Sequence, residues 1–142
     1  MGTARPTAEM QTPEQHRERL HEIVKSARTV MLLSHGADHE ISGRPMALIR
    51  TDDDTTMYLV SPIDSQEILE IDRECRVSIS IQVNDAFAMF DGEARISQDR
   101  GLIDELWNDT WSAWFDGKDD PAIAIHEHQV GGEPRLNRTA LA

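Results

Sequence analysis

Residues 76–83 read Arg-Val-Ser-Ile-Ser-Ile-Gln-Val. Val77, Ile79, Ile81 and Val83 alternate with Ser78, Ser80 and Gln82. Successive strand side chains point to opposite faces, so this period of two predicts a half-buried β-strand. A helix would scatter the same apolar residues around its circumference. Asn84-Asp85 follows as a turn, and Phe87 to Ile96 reads as the return strand. Gly92 within it marks a bulge or a close approach of another backbone. An isolated hairpin cannot hide its apolar face. The rest of the chain must therefore supply further strands and covering helices.

It does so in a recognisable order. Thr12-Pro13-Glu14-Gln15 is a helix start, with a capping threonine, a proline at the first position and a glutamine at the third. Leu20, Ile23, Val24 and Ala27 give that helix one apolar face. Thr29 to Ser34 is a buried strand by its β-branched and apolar run. Arg44 to Arg50 and Thr56 to Val60 are strands joined at a Thr-Asp-Asp-Asp turn. Asp64 to Asp72 reads as a short helix capped by Asp64. Asp99 to Phe115 reads as a second long helix, stopped by Gly117 and Pro121. Ala122 to Ile125 could add one strand. No βαβ alternation is present. About six antiparallel strands with flanking helices predict a mainly β domain, a small barrel with helices packed outside. The domain is read as 12–128, between a loose tail at 1–11 and a C-terminal tail at 129–142.

Charge and composition narrow the partners. The chain carries a net charge of −12, and its 14 basic residues are scattered. Phosphate backbones and anionic lipids need clustered Lys and Arg, so neither nucleic acid nor a membrane surface is expected as a partner. No apolar run is long enough to span a bilayer, and the first residues lack the apolar core of a signal peptide. The single cysteine, Cys75, rules out a disulfide framework and fits the reducing cytoplasm. It reads as a buried or half-buried structural thiol.

The candidate site lies between Gly43 and Gln66. Arg44 and Pro45 open one strand, and Ser65 and Gln66 fall in the first turn of the following helix. A guanidinium beside free helix N–H groups suits a phosphate or another small anion. Trp107, Trp111 and Trp114 share one face of the predicted long helix, a spacing that belongs first to core or interface. His35, His39, His126 and His128 come without the cysteines or the HExxH spacing of a zinc site, and Asp52-Asp53-Asp54 lacks a calcium loop. No metal is expected. There is no P-loop, GxGxxG or nucleophile elbow, and no catalytic residue is assigned.

Taken in order, Gly-Arg-Pro-Met-Ala-Leu-Ile (43–49), the segment 57–71, Arg-Glu-Cys-Arg-Val-Ser-Ile-Ser-Ile (73–81), Phe-Asp-Gly-Glu-Ala-Arg-Ile-Ser (90–97), Glu-Leu-Trp-Asn (105–108) and Ala-Trp-Phe-Asp-Gly-Lys-Asp-Asp-Pro (113–121) carry a resemblance. From about His16 to Ile125 the chain resembles the pyridoxamine-5′-phosphate-oxidase-like flavoproteins, and within them the bacterial general-stress-protein branch. The resemblance implies an FMN-binding split β-barrel and a homodimer with flavin at the subunit interface. It implies that Arg44, Pro45, Met46 and Ala47 run along the flavin, with Arg44 on the phosphate side. It places Leu59, Val60 and Ser61 against the ring or ribityl chain, Ser65 and Gln66 at the phosphate, and, as in some relatives, the pair Trp114 and Phe115 near the flavin, with Trp114 the one assigned to the site. Relatives usually carry Lys where this chain has Gln66. Losing that charge-assisted contact would weaken phosphate binding by roughly 1–3 kcal/mol.

The function implied is an FMN-dependent oxidoreductase acting on a small-molecule donor or acceptor. Two alternatives stand beside it. One is a relative that uses FAD or the deazaflavin F420. The other is a non-catalytic dimeric split barrel that binds flavin weakly or not at all, as the neutral Gln66 would allow.

Overall fold

A computed structural model of the protein describes residues 12–53 and 55–130, and the backbone of 135–138. The first helix, α1 (Pro13–Ser26), begins with the capping box read from the sequence. Gln15 N–H donates to Thr12 Oγ1 at 3.1 Å, and Thr12 N–H donates to Gln15 Oε1 at 3.0 Å. Leu20, Ile23 and Val24 are its buried face.

Eight strands follow among the described residues: β1 (Thr29–His35), β2 (Ile41–Ala47), β3 (Arg50–Asp52), β4 (Thr56–Pro62), β5 (Arg76–Val83), β6 (Ala86–Ser97), β7 (Ile123–Val130) and β8 (Arg135–Arg138). They form one antiparallel sheet, seven of them in the order β2-β1-β5-β6-β7-β4-β3, with β8 paired to β6 off that path. β5 and β6 are the hairpin expected from the alternating pattern, with Asn84 in the left-handed region at φ 55°.

The two ends of this sheet are consecutive in sequence. Only Leu48 and Ile49 separate β2 at one edge from β3 at the other. Leu48 N–H still bonds Arg28 O beside β1, at 3.0 Å, while Ile49 N–H already bonds Tyr58 O of β4, at 2.9 Å. A sheet whose edges are tied by two residues must curl, and the result is a split half-barrel. The sequence pattern predicts one strand from Arg44 to Arg50. It splits because its two halves pair with different neighbours.

The curl creates two cores. Leu32, Met57, Leu59, Ile79, Ile81 and Phe90 fill the interior together with Leu20, Ile23 and Val24 of α1 and Ile71 of α2 (Gln66–Arg73). Tyr58, Ile123 and Ile125 face outward and are covered by Ile103 and Leu106 of α3 (Arg100–Leu106), with Trp111 and Phe115. β4 feeds both cores by alternation, odd residues inward and Tyr58 outward.

Three other expectations change. The long helix to Phe115 ends at Leu106. Asn108 Oδ1 accepts from Thr110 N–H at 2.9 Å and opens a separate 3₁₀ helix, Asp109–Ala113. Asn and Asp favour such caps over helix interiors. The last strand does not stop at Ile125. β7 runs to Val130, and 135–138 pairs with the first half of β6. Backbone pairing at a free strand edge needs no apolar period, so the pattern did not announce it. Cys75 is exposed rather than buried. The tail read at 1–11 lies outside the described residues. Among those described, no helix is long and apolar enough to cross a membrane.

Candidate functional site

β2, the end of β4, the start of α2 and the segment after the 3₁₀ helix surround a cavity of about 420 Å³. Its walls are Arg44, Pro45, Met46 and Ala47 from β2, then Ile49, Val60, Ser61 and Pro62, with Glu67, Trp114 and Phe115. Seven of the residues expected from the sequence therefore meet: Arg44, Pro45, Met46, Ala47, Val60, Ser61 and Trp114. Three lie off its walls. Leu59 points into the barrel core and is fully buried. Ser65 and Gln66 lie at the opening of α2, where Ser65, not Asp64, is the N-cap. A larger cavity of about 780 Å³ lies between β1, β5 and β6, lined by Leu33, Ile41, Val77 and Met89 among others. It contains none of the expected site residues.

Arg44 is not a free cation. Its Nη2 donates to Glu70 Oε1 at 3.0 Å, and its Nη1 to Ser34 Oγ at 3.0 Å. Glu70 is 2% exposed. It also accepts from Ser34 Oγ at 2.6 Å, Ser42 Oγ at 3.2 Å and Gln66 Nε2 at 3.0 Å. Burial pushes this carboxyl up. The donors from Ser34, Gln66, Arg44 and Ser42 outweigh burial and lower its pKa to about 2. The amide of Gln66 is thus spent on Glu70. The buried carboxylate was the residue that sequence reasoning missed. Its only signal was an acid at a position where α2 packs its apolar face inward.

Ser65 is different. Its side chain makes no capping bond to α2, and its Oγ is buried with no hydrogen-bond partner among the described residues. Such orphaned polar atoms are costly and call for a partner.

A second polar line runs from the cavity into the barrel. Ser61 Oγ donates to Glu67 Oε2 at 2.8 Å and lies 3.0 Å from His126 Nε2. His126 Nδ1 lies 2.8 Å from His128 Nε2. The β4–β7 register sets Leu59 opposite His126 and Met57 opposite His128, so both imidazoles point into the apolar interior, 0% and 1% exposed. Burial, then the neighbouring His128, then Arg44 hold His126 well below the usual imidazole range. Burial lowers His128 to about 4. Both rings are neutral near pH 7. Reading the sequence flagged this pair only as possible ligands. Among the described residues, no group of three His, Cys, Asp or Glu could hold a metal.

Among the described residues, the chemistry of this corner is therefore a cleft with apolar walls, one internally matched cation, one carboxylate without an ion-pair partner and an unpartnered hydroxyl at a helix start. Similarity to known proteins agrees with the architecture. A general stress protein FMN/FAD binding protein of Xanthomonas citri has a solved structure that is 27% identical, with a TM-score of 0.73, covering 91% of this chain and 94% of that one. A protein related to general stress protein 26 from Clostridium acetobutylicum is 17% identical and superposes with a TM-score of 0.76 over 89% of this chain and 96% of that one, which speaks for the fold alone. General stress protein 26 of Bacillus subtilis is 31% identical over 80 residues, 53% of this chain. That match spans 57% of the relative's length. The model of the family described as pyridoxamine 5′-phosphate oxidase like matches residues 15–130, and the chain belongs to this family.

Proposed function

We propose that the protein binds FMN in the cavity between β2, β4 and Trp114, and acts as an FMN-dependent oxidoreductase of the general stress type. One observation carries this reading. Residues far apart in sequence, Arg44 to Ala47, Val60, Ser61 and Trp114, converge on a single cleft. It is of the size and apolar character of small-molecule sites.

The residues fit a flavin. Pro45, Met46, Ala47, Val60 and Phe115 offer an apolar bed for a ring system, and Trp114 offers an aromatic face. Ser65 Oγ, buried and unpartnered, stands at the opening of α2, where uncapped backbone N–H groups favour an anion. Arg44 uses two of its nitrogens internally and still lines the cleft. It has N–H groups left to offer a phosphate. When bound, the flavin would supply hydride or electron transfer. The chain's own part would be to seat the ring, keep water from one face and hold the phosphate end.

The pairing of Arg44 with Glu70 favours a second reading, a split barrel whose flavin is weakly held or absent and which performs no redox step. Purification and titration separate the two. The first reading expects a flavin absorbance spectrum, or saturable uptake of added FMN, followed by bleaching on reduction by a nicotinamide donor. A colourless protein that takes up no FMN would leave the second.

We also propose a homodimer with the flavin across its interface. Met31, Ile41, Leu69 and Trp114 are 41%, 71%, 54% and 66% exposed, more large apolar surface than a lone small domain gains from showing.

A further inference from the structure

The hydrogen-bond line behind the cavity has a direction, and the direction has a chemical consequence. Ser61 Oγ donates its single proton to Glu67 Oε2 at 2.8 Å. Ser61 Oγ must then accept from His126, which fixes the proton of His126 on Nε2. His126 Nδ1 is left as an acceptor and must receive Nε2–H of His128. The remaining nitrogen, His128 Nδ1, is an acceptor without a partner among the described residues. The reverse order would bury an unpartnered N–H instead, and orphaned buried N–H groups are rarer than under-satisfied acceptors. Every group in the line therefore passes its proton toward the cavity and ends on a carboxylate.

We propose that Glu67 and Ser61 form a donor-recognising edge of the cavity, a subsite for an N–H or O–H group of a neutral or cationic ligand, with His126 and His128 as positioning residues that hold Ser61 as an acceptor. Both residues line the cavity. Among the described residues, Glu67 has no ion-pair partner, and its Oε1 carries no hydrogen bond. The other charged group on the wall, Arg44, is matched from behind by Glu70. The uncompensated charge at the Glu67–Ser61 edge is thus negative. Apolar neighbours such as Val60 and Phe115 reduce screening there and strengthen the preference. The subsite goes beyond the flavin reading and stands whether or not the cavity takes a flavin.

The test uses the full-length protein and two probes of one shape and opposite charge, benzamidine and benzoate. Long-range proton–nitrogen spectra of the histidine rings come first. Nε2–H tautomers at both His126 and His128 are expected, and an Nδ1–H tautomer at His126 overturns the proposal. Titration follows. Benzamidine should bind more tightly than benzoate by about tenfold or more and shift the His126 ring signals. Glu67→Gln should bring the two probes to near parity. Benzoate binding as well as benzamidine, neither binding at millimolar concentration, or an unchanged preference in E67Q would each overturn the assignment. Should E67Q fail to fold, the wild-type tautomers and probe pair still decide. Separate FMN titration of the same sample reports on the flavin reading independently.

Discussion

Arg44 on the cavity wall donates to Glu70 Oε1 at 3.0 Å, and Glu70 is 2% exposed. The cation that sequence assigns to an anion site is therefore already half-committed to a carboxylate of its own chain. Breaking such a pair leaves the buried carboxylate with its hydroxyl and amide donors but no cation, and loss of one partner of a buried pair costs about 3–5 kcal/mol. Arg44→Ala should accordingly lose about 3–5 kcal/mol of stability in urea melts and not only its ligand. Glu70→Gln keeps a side chain that accepts from Ser34 but releases the guanidinium. FMN and riboflavin should bind the wild type within about tenfold of each other, and E70Q should shift the balance toward FMN. A wild-type preference for FMN of about a hundredfold would mean that the helix start and Arg44 outcompete Glu70.

The same buried groups set the response to acid. His126 and His128 are held neutral, with folded pKa values below the ordinary imidazole value of 6.5, and His128 at about 4. The unfolded chain binds protons at these positions that the folded chain refuses. Stability from them is present above pH 6.5 and falls as the pH drops below it, by about 1.4 kcal/mol per pH unit for each proton. Glu70 continues the loss between the ordinary carboxyl value of 4.5 and about 2. Thermal midpoints should thus begin to fall below pH 6.5, earlier than carboxylates alone would allow. His128→Leu should lessen the slope between pH 6.5 and 4. A flat profile down to pH 5 would contradict the buried neutral pair.

Large apolar side chains remain uncovered on the single chain, Ile41 at 71% and Trp114 at 66% among them. A second copy is the proposed cover. Sedimentation at micromolar concentration should give twice the 16.0 kDa of one chain. A stable 16.0 kDa species would remove the interfacial flavin site along with the dimer.

What the sequence made legible was whatever one strand or one helix end decides locally. The Val77–Val83 alternation, the Thr12–Gln15 capping box and the hairpin turn at Asn84 all appear in the structure. So does the close approach at Gly92, where a Cβ would run into the carbonyl oxygen of Gln129. The split-barrel architecture followed from strand order and resemblance. What stayed hidden depends on pairing between distant segments. Nothing near Glu70 announces that Ser34 and Arg44 will meet it, and nothing near His126 announces Ser61. These contacts exist only once β1, β2, β4 and β7 are in register. The helix break at Asn108 was locally encoded, but the tryptophan spacing overrode it.

That break decides what each tryptophan does. Trp111 is 1% exposed, in the outer core with Ile103, Leu106 and Phe115. Trp107 sits half-exposed beside it, edge-on at 5.5 Å between ring centres, with Nε1 donating to Asp109 at 3.1 Å. Trp114 is 66% exposed and lines the cavity. A continuous helix would have made Trp107 the core residue. The 3₁₀ turn rotates Trp111 into that place instead. Trp111→Ala should cost about 3–5 kcal/mol of folding stability, as large core truncations do. Trp107→Ala should cost less than half of that, since part of its surface is already in water. Trp114→Phe should leave the urea midpoint in place. An indole close to a flavin quenches its emission, so the same substitution should brighten the fluorescence of bound FMN. If Trp107→Ala proved the more destabilising change, or if Trp114→Phe left bound-flavin emission unaltered, the segment 107–115 would be packed against the sheet in another way and the cavity wall would need to be redrawn.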